Sequence, residues 1–210
     1  MEIIRYAELR AEPWRNKGGV TRELASHPKA ASAQDGAWDW RVSIAEVSKA
    51  GAFSSFPGMD RVLTVIEGEL LLLTVDGTEH PLEKYRPFRF SGDADTASAL
   101  PTGDIRDLNV ITRNGAFKGY TSIIELSKKR AHPVFEGQLG ILLQGQATVT
   151  PGIAGVGDTP GDGEAPEAAR ASGEPETLGR YDAVVGSDSN TPEILGRGFL
   201  AVVSIDRVTA

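Results

Sequence analysis

Short runs of β-branched, aromatic and leucine residues recur along the chain between glycine, proline, asparagine and aspartate: IIRY, VTREL, WDWRVSIAEV, RVLTVIEG, ELLLLTVDG, FRFSG, IRDLNVITR, YTSIIEL, LGILLQG, ATVT, DAVVG and FLAVVSI. Almost no window offers an uninterrupted helical stripe of about 12 residues. The spacing predicts an all-β sandwich or barrel. Asp76-Gly77 and Asn114-Gly115 can supply the positive φ angles of tight hairpins. Alternation then assigns faces. In residues 38–47, Trp38, Trp40, Val42 and Ile44 form the apolar face expected to pack, turning Arg41 and Ser43 elsewhere. In residues 104–111 one face reads Ile105, Asp107, Asn109, Ile111, which suits the wall of a polar pocket better than a solvated face.

Residues 151–179 break the pattern, with seven glycines, four prolines and only three large aliphatics, Ile153, Val156 and Leu178. Such a stretch cannot bury enough apolar surface to be core, so a mobile surface loop is expected there. The regions on either side of it look alike. Val65-Ile66-Glu67-Gly68-Glu69-Leu70 pairs with Leu142-Leu143-Gln144-Gly145-Gln146-Ala147, YRPFRFSGD from Tyr85 with YDAVVGSD from Tyr181, and residues 105–113 with 199–207. Internal duplication of one all-β unit is the expectation.

The 210 residues carry 22 Lys and Arg against 29 Asp and Glu, a formal charge of −7, which argues against a nucleic-acid partner. The absence of cysteine excludes disulfides, thiolate metal sites and cysteine nucleophiles. Charges interrupt the first 13 residues, so no signal peptide is expected, and an apolar run such as Leu70 to Leu73 is far short of a membrane span of about 20 residues. A soluble, cytoplasmic protein without a membrane partner follows. His27, His80 and His132 are singletons more than 50 residues apart, a spacing that predicts no metal site.

Interior cations have another use. An arginine facing a barrel lumen is costly to desolvate unless it is paired or awaits an anionic ligand. Arg41, Arg61 and Asp107 therefore form either one structural charge network or part of a pocket. In Pro13-Trp14-Arg15-Asn16-Lys17-Gly18-Gly19, the glycines permit close backbone approach to a ligand. Trp14 is expected in the core, whereas Asn16, with donor and acceptor, suits the reading of an amide.

Residues 53–68, FSSFPGMDRVLTVIEG, resemble the first cupin motif. Registered on Gly68, the motif's glutamate position holds Arg61 and its two histidine positions hold Ser54 and Phe56, so the ligands of a metallo-cupin are missing. The succession PWRNKGGVTRE, WRVSIAEV, GAFSSFPGMDRVLTVIEGELLL, FSGD and DLNVITR resembles the HutD/Ves family of bicupins, strongly over residues 1 to about 126. That resemblance implies two cupin-like β-barrel or jelly-roll halves in one chain, 1–118 with the pocket and 119–210 degenerate, and no cofactor. It implies a regulatory protein of histidine utilisation that accommodates N-formylglutamate. The candidate ligand-binding residues are Asn16, Arg41, Ser43, Phe56, Arg61, Asp107 and Asn109. The loop departs from the usual PWKNGGG at Arg15 and Lys17.

Three functions compete at this point: a ligand-binding regulator, a metal-independent isomerase or hydrolase with Asp107 as general base, and an interaction module acting through the 151–179 loop. A small anionic metabolite is the expected partner, with a homodimer left open.

Overall fold

The computed structural model describes residues 1–29, 38–152 and 173–209. Strands dominate it. In chain order they are β1 (Glu2–Ile4), β2 (Glu12–Pro13), β3 (Gly19–His27), β4 (Trp40–Val47), β5 (Gly51–Ala52) and β6 (Met59–Glu67). There follow β7 (Leu70–Val75), β8 (Thr78–Glu83), β9 (Phe88–Ser91), β10 (Thr96–Ala99), β11 (Ile105–Arg113) and β12 (Phe117–Leu126). The last are β13 (His132–Pro133), β14 (Gln138–Thr150), β15 (Glu176–Leu178), β16 (Ala183–Val185) and β17 (Glu193–Arg207). A 3-10 turn at Tyr6–Glu8 is the one helical piece among the described residues, and no described helix is long and apolar enough to cross a membrane.

The chain divides into two compact units, a larger one of Ala7–Ile123 with Val203–Ala210 and a smaller one of Met1–Tyr6 with Ile124–Val202. In the larger unit a six-stranded sheet runs β2-β3-β4-β11-β6-β9 and a four-stranded sheet runs β5-β10-β7-β8. Both are open sheets that share one core, in which Ala45, Val47, Leu63 and Val65 from the first meet Leu71, Leu73 and Leu82 from the second. Each fully buried leucine of this kind contributes roughly 1.5–3 kcal/mol. Two facing antiparallel sheets are how a jelly roll buries its strands.

Register places the polar residues. β11 lies between β4 and β6, with Asp107 opposite Ala45 and Val65, Asn109 opposite Ser43 and Leu63, and Ile111 opposite Arg41 and Arg61. Because side chains alternate with a period of two, all of these share one face of the sheet. It is the face of the shared core. The expectation that the Trp40, Val42, Ile44 side alone packs is therefore corrected: Val42 and Ile44 are buried, and so are Ser43, Ala45 and Val47 on the opposite side. A central strand covered on both faces carries no amphipathic signature.

Turns were partly legible. Asp76 (φ 47) and Gly77 (φ 81) close the β7–β8 hairpin with both central residues left-handed. Between β11 and β12 only Gly115 (φ 74) is left-handed, and Ala116 N donates to Arg113 O at 3.2 Å, so a three-residue loop replaces the expected two-residue turn. Strand β8 escaped the apolar-run reading because it carries Pro81. Proline is tolerated here because β8 is the edge of its sheet.

In the smaller unit β14 runs through both LGILLQG and ATVT, bending at Gly145 (φ 103). Its core includes Val134, Leu142, Val149, Val184, Ile194 and Leu200. Part of the predicted surface loop belongs to this core: β15 pairs with β14, and Leu178 is buried. Residues 153–172 of that loop lie outside the described residues.

The two units repeat one another in backbone detail. Tyr85 N donates to Val65 O at 2.8 Å and Gly92 N to Met59 O at 2.7 Å; in the smaller unit Tyr181 N donates to Leu142 O at 2.6 Å and Gly186 N to Gln138 O at 2.9 Å. Tyr85 and Tyr181 also share a left-handed backbone, at φ 66 and 69. An L side chain adopts that conformation only where the surroundings over-determine it.

Candidate functional site

A cavity of about 520 Å³ opens in the larger unit on the core face of the six-stranded sheet. The structure brings all seven sequence-derived candidates to it. Arg41 and Ser43 come from β4, Arg61 from β6, and Asp107 and Asn109 from β11, so rigid neighbouring strands hold the floor. Phe56 enters from the loop before β6, and Asn16 from the β2–β3 loop.

The floor is a directed chain of hydrogen bonds. Arg61 Nη2 donates to Asn109 Oδ1 at 3.0 Å, and Asn109 Nδ2 donates to Asp107 Oδ1. Arg61 Nη1 donates to the Ser54 carbonyl at 3.2 Å. The guanidinium also lies over three phenyl rings, Phe90 at 4.9 Å, Phe56 at 5.2 Å and Phe53 at 5.7 Å. Such ring faces stabilise a desolvated cation. Arg61 is only 5% exposed and Asp107 only 1%. Burial pushes the Arg61 guanidinium down to about 10, an effect the Asp107 charge partly offsets. Burial also pushes the Asp107 carboxyl up to about 7, against the pull of Arg61 and the Asn109 hydrogen bond. Asp107 Oδ2 and Arg61 Nε have no hydrogen-bond partner among the described residues.

The two alternatives for the charged residues thus merge. Arg61 and Asp107 belong to one network, with Asn109 interposed, and that network is itself the pocket floor. Arg41 is not part of it. Its Nε lies 3.1 Å from Glu23 Oε2 on β3, and Ser26 Oγ donates to Glu23 Oε1 at 2.7 Å.

At the mouth, Asn16 is exposed and its Oδ1 accepts from Gly18 N at 2.9 Å. This corrects the expectation of an asparagine with both functions open: its carbonyl holds the turn, which leaves the amide N–H groups as its donors. Lys17 occupies a left-handed position (φ 56), and a Cβ on Gly19 would stand 2.3 Å from Glu46 O, so that position requires glycine. Trp14 is half-buried rather than core, lines the pocket, donates from Nε1 to Thr21 Oγ1 at 2.8 Å and meets Phe53 edge-on. Sequence reasoning missed Glu23, Phe53 and Phe90. Alternation along VTRE, which puts Thr21 and Glu23 on one face, carried the signal for the first.

The histidines do not converge: His27 stacks on Trp40, His80 packs on Phe88, and His132 sits in β13. No group of three or more His, Cys, Asp or Glu residues among the described residues is placed to hold a metal ion.

Known proteins resemble this chain in sequence and fold. The HutD family model matches residues 6–202. Protein Ves of Citrobacter koseri is 37% identical over 127 residues, covering 58% of this chain and 64% of that protein. A 21.2 kDa protein of Pseudomonas putida, named for the region 3′ of hutC, is 37% identical over 112 residues, 53% of this chain and 57% of its own. The match thus spans less than two thirds of the length of these curated relatives. Over whole chains, the structure of HutD from Pseudomonas fluorescens is similar with a TM-score of 0.72 at 26% identity, covering 99% of each. A cupin 2 conserved barrel domain protein from Leptotrichia buccalis shares the fold, with a TM-score of 0.56 at 7% identity over 99% of this chain and 96% of that one. The all-β architecture is that of a bicupin.

Proposed function

The chain belongs to the HutD family, and from that premise we propose that the larger unit's pocket binds a small anionic acylated amino acid such as N-formylglutamate, without metal, as a cytoplasmic regulator of histidine utilisation. The observation that carries this reading is Arg61, a cation buried at the pocket floor with its charge only indirectly met by Asp107. A ligand carboxylate is the natural partner of such a group, through charge-assisted and bidentate hydrogen bonds. The donors of Asn16 and Ser43 are available to an acyl oxygen. The protein's net charge of −7 would repel an anion elsewhere, so the local positive potential selects the site.

Isothermal titration of N-formyl-L-glutamate against the wild type and Arg61→Met tests it. The variant is expected to bind about 10- to 150-fold more weakly, the loss of roughly 1.5–3 kcal/mol that removing a charged hydrogen bond entails. Unchanged affinity in the variant would remove Arg61 from the site. A second reading, catalysis with Asp107 as general base, is favoured by its carboxyl lying near 7. Steady consumption of the same compound by wild type and not by Asp107→Asn, followed by NMR, would establish that reading instead.

A further inference from the structure

We infer that binding a carboxylate in this pocket draws one proton from solvent onto Asp107, and that the Oδ2–H so formed donates to an acyl oxygen of the ligand. The inference rests on the ligand class proposed above. Its geometric basis is the polarity of the floor. Because Asn109 Oδ1 accepts from Arg61, the asparagine presents Nδ2 to Asp107, and Asp107 Oδ1 is the acceptor. Asp107 lines the pocket, and its Oδ2 is buried and without a hydrogen-bond partner among the described residues. An ionised carboxylate there accepts only, and an incoming acyl oxygen also accepts only. Contact between them needs a proton, and the neutral acid supplies it.

The charges around Asp107 point the same way. From β6 it faces Arg61 through Asn109, and its direct neighbours on β4 and β6, Ala45 and Val65, are apolar. Arg41 on β4 is paired with Glu23 on β3, and Glu12 and Arg15 stand at the mouth. A ligand carboxylate on Arg61 therefore adds a second negative charge around one buried guanidinium. Two carboxylates in that position share a proton. Burial already holds the Asp107 carboxyl up at about 7, so the uptake is small in acid and complete above neutrality.

Titration of wild-type protein with N-formyl-L-glutamate at about pH 8 in HEPES and in Tris, and at about pH 5.5, reads the proton directly. The expected result is uptake of about one proton at the higher pH, none at the lower, and affinity about tenfold weaker at the higher pH. Asp107→Asn, whose amide can donate in place of the O–H, is expected to bind with no proton uptake and no pH dependence. Wild-type binding whose heat is the same in both buffers at pH 8, or loss of binding in Asp107→Asn at both pH values, overturns this inference and leaves the ligand class standing. Absence of wild-type binding at either pH overturns the ligand class, and the proton uptake with it.

Discussion

Where the larger unit sets Arg61 opposite Phe90 on paired strands, the smaller sets Gly140 opposite Val184, two residues past the same glycine turn. A Cβ at Gly140 would stand 2.8 Å from Ile194 Cδ1 and 3.1 Å from Val134, so apolar side chains fill the space that Arg61 occupies in its counterpart. Strand β17 turns Ile194, Leu200 and Val202 into this core, whereas β11 presents Asp107 and Asn109 to the larger unit's pocket. One scaffold is thus closed in one unit with hydrocarbon and left open in the other around a buried ion. The fold does not need the charged floor. A buried ion pair stabilises no better than well-packed apolar residues, which favours the binding role proposed for the charged floor.

Transplanting the cation makes the strongest test of that contrast. Gly140→Arg would force a buried guanidinium with no acceptor against Ile194, and a loss of about 4 kcal/mol or more is expected in denaturant melts. A variant of wild-type stability would mean the smaller unit conceals a cavity. The reverse exchange is gentler. Asn109→Val alone removes the link between Arg61 and Asp107 and should cost about 1–3 kcal/mol, whereas Arg61→Met, Asp107→Leu and Asn109→Val together should restore or exceed wild-type stability while abolishing anion binding. A triple variant less stable than the single one would show that the floor is structural. The third effect is one of pH. The Asp107 carboxyl sits above its unfolded value, so the folded state holds a proton that the unfolded chain has released. Its contribution is complete below about pH 4 and is lost as pH rises to about 7, at no more than about 1.4 kcal/mol per pH unit. Asp107→Asn should flatten that part of the stability profile, measured by melts between about pH 5 and pH 8.

The same contrast explains what was readable in the sequence. The strand pattern, the pairing of Tyr85 with Tyr181 and the polar face of Ile105, Asp107, Asn109, Ile111 survive because each is a local regularity. Trp14 and the two sides of β4 were not readable, because burial on both faces erases alternation. Glu176–Leu178 reads as loop among glycines and prolines, yet one buried leucine and one strand partner suffice to order it. Phe53 and Phe90 lie 8 and 29 residues from Arg61, and only the sheet register converts that separation into an aromatic enclosure.

That enclosure bears on kinetics. A guanidinium set over three phenyl rings at a pocket floor is less open to counter-ions than a surface cation, so salt acts on an incoming anion mainly before it passes the mouth, within a Debye length of about 8–10 Å. Ionic strength therefore governs how fast the pocket is found, through the field of the whole protein and the exposed Arg15 and Lys17. Residence time, set by contacts inside a ring of hydrocarbon, is insulated from the salt content of the surrounding solution.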